Sequence, residues 1–443
     1  MKPTHKIFAL AAAAIFAVSG AAPAFAHDPV HNPSVTAQDL RALLSGQLGE
    51  HVMLAASATG AALGGRDAQF KAAAKSLDDN SIDISKSIGA VYGQGAQDAF
   101  LPLWRKHIGF VVDYTTGLAT KDKAKSDKAV NDLLQYAEDF GAFLSSANPN
   151  LPKAAVAGLV KDHIVGLKNV VDAQAAGDIK KQFAELRMAY MHMDMIGGAL
   201  AGAIGKQFPD KFGGAADDAA SDLRTGLNLL LSEHTYLAAR ATGAALGGRT
   251  AEFTEAANAL DGNSVDLSKA IGSVYGQGAQ DAFLPLWRKH IGFVVDYTTG
   301  LAAKDKAKSD KAVTDLVLYS QDFGAFLSSA NPNLPKDVVA DLVKTHILTL
   351  KDVIDAQAAG DQPKVYDLLR GAYHHMGMIA DPLAAGIVKQ FPAKFGGVAK
   401  PAMVLPVSGG APIETPWTAV AILAAAALMA GAGAALIVRR GRG

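Results

Sequence analysis
The chain has 443 residues, 50% of them hydrophobic, 19% charged and 7% aromatic, and it contains no cysteine. That apolar content excludes a disordered chain, 44 Gly and 18 Pro without a three-residue period exclude a collagen-like one, and the lack of cysteine excludes disulfide scaffolds, thiolate metal sites and thiol enzymes. Lys+Arg and Asp+Glu both number 42, so no basic surplus supports a nucleic-acid partner read through its phosphates.

From the N-terminus, Lys2 and Lys6 precede the apolar run 7–18, and Ala24-Phe25-Ala26 supplies a small-x-small cleavage site. Residues 1–26 therefore read as a secretory signal peptide, followed by an arm over 27–36 that carries His27 and His31.

A repeat dominates the central part of the chain. Residues 93–130 recur at 276–313 with one change, Thr120 to Ala303, and 140–153 recur unchanged at 323–336. The offset is 183 residues, which predicts two copies of one fold, over 37–213 and 220–397. Each copy has a finer period of 56 residues, marked by His51, His107 and His163 in the first and by His234, His290 and His346 in the second. Around each histidine the apolar residues recur at i, i+3 and i+4, as with Leu44, Leu48, Leu54 and Ala58 around His51. Breakers separate the helical runs at Gly64-Gly65, Gly93-Gln94-Gly95, Lys121-Asp122, 148–152 and Gly177-Asp178. Strand signals are lacking. The expected fold is all-α: two tandem six-helix domains, each of three αα-hairpins of about 56 residues, plus a C-terminal transmembrane helix.

Each hairpin places its histidine near the middle of the first helix. A residue 29 positions later then lies level with it on the returning helix. Those residues are Asn80, Tyr136 and His192, and in the second copy Asn263, Tyr319 and His375. One turn further come Asp83, Asp139 and Met195, matched by Asp266, Asp322 and Met378. If the hairpins pack in register, each domain carries a polar layer inside an apolar shell, the arrangement by which helical bundles build metal sites. The expected ligands are His51, His107, His163, His192 and Met195, with His234, His290, His346, His375 and Met378 in the second copy. Imidazole with thioether points to copper first, and to another transition metal second. Met188, Met191 and Met193 surround His192 and strengthen that choice, while Gly371 replaces Met188 in the second copy. The competing reading is that each histidine is a hydrogen-bonded core residue that fixes helix register, as in a His107–Tyr136–Asp139 network. Trp104 reads as core and Arg105-Lys106 as a solvated face; Glu50 and Glu233, beside His51 and His234, read as exposed by default or as carboxylates that orient the imidazoles. No nucleophile, phosphate loop or dinucleotide fingerprint is present, so no catalytic residue is expected.

After a Pro/Gly-rich linker over 398–416, residues 417–438 run without a charge, long enough to span a bilayer, and Arg439, Arg440 and Arg442 follow over 439–443. Leu405, Pro406, Ser408 and Gly409, with this apolar run and basic tail, resemble a sortase sorting signal of the Leu-Pro-x-Thr-Gly type, with Ser408 where threonine is usual. The resemblance implies cleavage between Ser408 and Gly409, sortase as a partner and covalent transfer to the cell wall; without cleavage the same segment remains a membrane anchor. The stretches 103–115 and 140–152 resemble poorly characterised exported bacterial helical-repeat proteins, some near copper-amine-oxidase-like modules, which implies no catalytic residue and a lean toward copper.

Three functions are carried forward. The first is a non-enzymatic, surface-anchored protein that sequesters or handles a metal ion at the envelope. The second is a structural or adhesive spacer. The third is a di-iron or haem redox protein.

Overall fold
The computed structural model describes residues 35–396, and these form thirteen helices with no strand among them. In the first half the helices are α1 (Ala37–Leu63), α2 (Asp67–Tyr92), α3 (Gln94–Thr120), α4 (Lys123–Ala147), α5 (Lys153–Ala176) and α6 (Ile179–Gln207). In the second they are α7 (Ala219–Leu246), α8 (Thr250–Tyr275), α9 (Gln277–Ala303), α10 (Lys306–Ala330), α11 (Lys336–Ala359) and α12 (Gln362–Gln390), with a short α13 (Pro392–Phe395) at the end. The signal peptide, the arm as far as residue 34, the sorting signal and the apolar run 417–438 lie outside the described residues. Among the described residues no helix is long and apolar enough to cross a membrane.

The helix boundaries follow from local chemistry. Thr36 opens α1 with a capping box: its hydroxyl accepts from the Asp39 amide while the Asp39 carboxylate accepts from the Thr36 amide. Gly93 separates α2 from α3 at φ 91, a conformation that L side chains rarely adopt. Asp122, Asp178 and Asp218 cap α4, α6 and α7 with their side chains.

Within each half, consecutive helices pack against one another, and the sixth returns to the first. The first helix of each half is therefore enclosed. On α1 the consecutive residues from Gln47 through Thr59 are all buried, and α7 is buried in the same way. A helix apolar around its whole circumference belongs in the middle of a bundle, and α1 and α7 also pack against each other.

One apolar core runs through both halves. Their contact is reciprocal, each residue meeting the counterpart of its partner 183 positions away. Arg187 on α6 donates to Glu233 on α7 and Asp266 on α8; Arg370 on α12 donates to Glu50 on α1 and Asp83 on α2. Arg41 pairs with Asp222, and Arg224 with Asp39. The Tyr190 and Tyr373 hydroxyls meet at 3.1 Å, and each donates to a carbonyl of the opposite half, at Leu229 and Gly46. Reciprocity of this kind is the signature of an isologous interface, here enclosed within one chain.

Candidate metal centre
His51 projects from α1, His107 from α3 and His163 from α5, the odd-numbered helices of the first half. The 56-residue spacing sets them at one level, and all three are buried. One ring nitrogen from each lies within 4.8 Å of the others, and His234, His290 and His346 repeat the arrangement. The Nε2 atoms of His51 and His107 are 3.3 Å apart, as are those of His234 and His290. Two nitrogens bound to one ion at about 2.0–2.1 Å in tetrahedral geometry stand about 3.3–3.4 Å apart, so this spacing suits shared ligation.

The surroundings keep the imidazoles neutral. Burial pushes His107 down to about 3 and His163 to about 4, with neighbouring imidazoles adding to the effect. Burial likewise holds His51 and His234 well below the ordinary value, and His290 and His346 stand at about 3 and about 4. A neutral ring offers a lone pair to an ion. The Nδ1 atoms of His51, His163, His234 and His346 are buried without a hydrogen-bond partner, a departure from the near-universal satisfaction of buried polar groups, whereas His107 and His290 meet the Trp104 and Trp287 backbone. Rigid aromatic walls set the ring positions. Trp104 meets His107 edge-on at 4.6 Å and stacks on Phe100 at 5.3 Å, while Tyr136 lies over His107 at 5.0 Å. A cavity of about 40 Å³ adjoins the first triad, and one of about 50 Å³ adjoins His234 and His290. Neither approaches the several hundred Å³ of an ordinary cofactor pocket, which argues against haem. Among the described residues both clusters consist of histidine alone, with no carboxylate to bridge two irons.

The remaining expected ligands stand elsewhere. His192 and His375 place Nε2 at 3.1 Å from the Leu159 and Leu342 carbonyls. Met195 and Met378 are 60% and 51% exposed. The reason is helix facing. On α6 the buried face runs through Leu186, Tyr190, Met193, Gly197 and Ala201, and Met195 sits about 200° around from Met193. Asp139 is exposed and accepts from Gln135, the Tyr136 hydroxyl has no partner, and so the His107–Tyr136–Asp139 network does not form. Asp83 and Asp266 serve the inter-half arginines instead. Glu50 and Glu233 are fully buried rather than exposed, and they accept from those same arginines and from Asn80 and Asn263. Trp104 is core, as its sequence context suggests, whereas Arg105 is half-buried and pairs with Asp78. The buried inter-half ion pairs escaped sequence reasoning. Their only trace is a charge set within an apolar run, Glu50 amid Leu48–Leu54 and Arg187 beside Leu186.

Comparison with known proteins gives no matching family model, no matching curated protein and no matching solved structure.

Proposed function
We propose that the chain is a non-enzymatic metal-binding protein of the cell envelope, with copper in its cuprous state as the first candidate. One ion would be held by His51, His107 and His163, and a second by His234, His290 and His346. The observation that carries this reading is three buried, neutral imidazoles converging within 4.8 Å in each half. Three neutral donors with no carboxylate leave the ion's charge uncompensated in an apolar shell. Desolvation cost rises with the square of that charge, so a monovalent ion is the least costly occupant, and imidazole is a competent copper ligand. In this reading each half is a domain of three hairpins, residues 1–26 direct export, and the C-terminal segment anchors the chain in the membrane or, through sortase, to the cell wall. Sequestration or handling of metal outside the cell is the resulting role. The test is metal analysis of the full chain after anaerobic loading and desalting. About two equivalents of copper per chain are expected, falling to one in His107→Ala and to none in His107→Ala/His290→Ala. Less than one equivalent of any of Cu, Zn, Fe or Mn in the unaltered chain rejects the reading.

A second reading has one observation in its favour. The 3.3 Å Nε2 separation also fits a hydrogen bond between two neutral imidazoles, which would make the layer a register device in a surface spacer. Thermal denaturation separates the two. A metal held only by the folded state raises the melting temperature, and a chelator reverses the gain.

A further inference from the structure
Where the two halves meet, a cavity of about 250 Å³ is lined by α1, α2, α7, α8, α11 and α12. No histidine lines it. We infer that this cavity binds a small oxyanion, a phosphate or carboxylate compound.

Charge is the first argument. Arg240 and Arg249 line the cavity, and Glu252 is the one acid among the lining residues, accepting from both at 2.9 and 2.7 Å. Arg66 stands close behind, bonded to Gln69; burial lowers its pKa, and the nearby Arg249 and Arg240 push the same way. Three guanidinium groups thus share one carboxylate.

Unused hydrogen-bonding capacity is the second argument. The Arg240 Nε is buried with no hydrogen-bond partner, while the Tyr236 hydroxyl and the Arg240 Nη1 both lean on the one Ser57 hydroxyl, and Tyr236 and Arg240 both line the cavity. A buried guanidinium N–H left unpaired is costly, and an oxyanion accepts from both groups together. Gly247 and Gly360 are exposed at the rim, so the cavity has a way in from solvent.

Divergence between the copies is the third. The halves are nearly identical over long stretches, yet Tyr236, Arg240, Glu252 and Tyr366 correspond to Met53, Ser57, Gln69 and Phe183 in the first half. All four second-half residues line this one cavity. The reciprocal interface therefore departs from symmetry by gaining two hydroxyls, a cation and an anion around a single space.

Isothermal titration calorimetry of the metal-free full chain with inorganic phosphate, and separately with succinate, tests the inference. Saturable binding of one anion per chain is expected for at least one of the two, and which one binds identifies the class. Arg240→Ser and Tyr236→Met install the residues the fold already accommodates in the first half. Arg240→Ser should weaken binding roughly tenfold or more, as loss of a charged hydrogen bond implies, and Tyr236→Met less. Lack of binding by both anions overturns the inference, as does unaltered affinity in a folded Arg240→Ser chain. Failure of this site leaves the histidine centres untouched.

Discussion

Lowering the pH from 7.5 to 5.5 should destabilise the metal-free fold steeply. His107 and His290 are held down to about 3, and His163 and His346 to about 4, by burial first and by adjacent imidazoles second. In the unfolded chain each returns to about 6.5. The unfolded state then takes up protons that the folded state refuses, so stability is complete above about pH 6.5 and declines as the pH falls toward the folded values. One pH unit below 6.5 costs roughly 1–2 kcal/mol per ring. His51 and His234, also held well below the ordinary value by burial, add to these four, and the six rings together remove roughly 6–12 kcal/mol at pH 5.5, against a total of about 5–15 kcal/mol for ordinary domains. His374, whose side chain is 45% exposed, opposes this: partial desolvation lowers its pKa, but the Glu50 carboxylate overrides that and raises it, so its solvent-screened contribution is full in acid and lost as pH rises. That is one ring against six. Burial pushes Glu50 up, but His374 and Arg370 override it and hold the carboxyl at about 2, so Glu50 adds to acid lability only below about 4.5. Urea denaturation followed by far-UV circular dichroism at pH 7.5, 6.5 and 5.5, on chelator-treated chain, reads the effect. A midpoint that stays constant across this range refutes the reasoning, because the rings would then titrate alike in the folded and unfolded chain.

Other predictions concern packing and charge. Arg187→Met removes the guanidinium that pairs with Glu233 and Asp266, both almost wholly buried, leaving Asn263 and Lys269 beside them, and should cost about 3–5 kcal/mol in urea denaturation. Arg370→Met should cost less, because Asp83 is 39% exposed and solvent can take over its charge. Gly197→Ala should cost about 1–3 kcal/mol, since the added carbon meets Ser45 Oγ at 2.2 Å and the Ser45 amide at 2.7 Å. The counterpart of Gly197 in the second half is Ala380, which shows that the tight approach belongs to the first half. By contrast, Gly158→Ala lies in the interior of α5 with nothing within 4 Å of the new carbon, and should raise stability by about 0.5–1 kcal/mol in the same assay. Met195→Ala should leave copper stoichiometry unchanged while His163→Ala removes one equivalent, because Met195 is exposed and His163 is buried beside His51.

Much of the helical architecture was legible because its signals are local. Apolar spacing marked the helices, and the breakers at Gly64-Gly65, Gly93 and Gly177 fall at their ends. The level placement of His51, His107 and His163 was legible because a 56-residue histidine spacing over hairpins of similar size carries the residue to the same height each time. What failed was the step across each hairpin. A spacing of 29 residues fixes height along the returning helix but not which way a side chain faces, and helix α6 turns its Tyr190 and Met193 face toward the core. His192 therefore bonds a neighbouring carbonyl and Met195 faces solvent. The contact between the halves was hidden for a different reason. Glu50 and Arg370 lie 320 positions apart, and no local pattern links them. A carboxylate that reads as surface from its neighbours proves buried because its partner arrives from the other copy.

X-ray absorption spectroscopy of the full chain loaded with cuprous copper tests the central claim most directly. The account predicts an ion ligated by imidazole nitrogen alone, at about 2.0 Å, with no sulfur in its shell. A sulfur scatterer near 2.3 Å, the mark of methionine ligation, or copper lost on desalting, would contradict it.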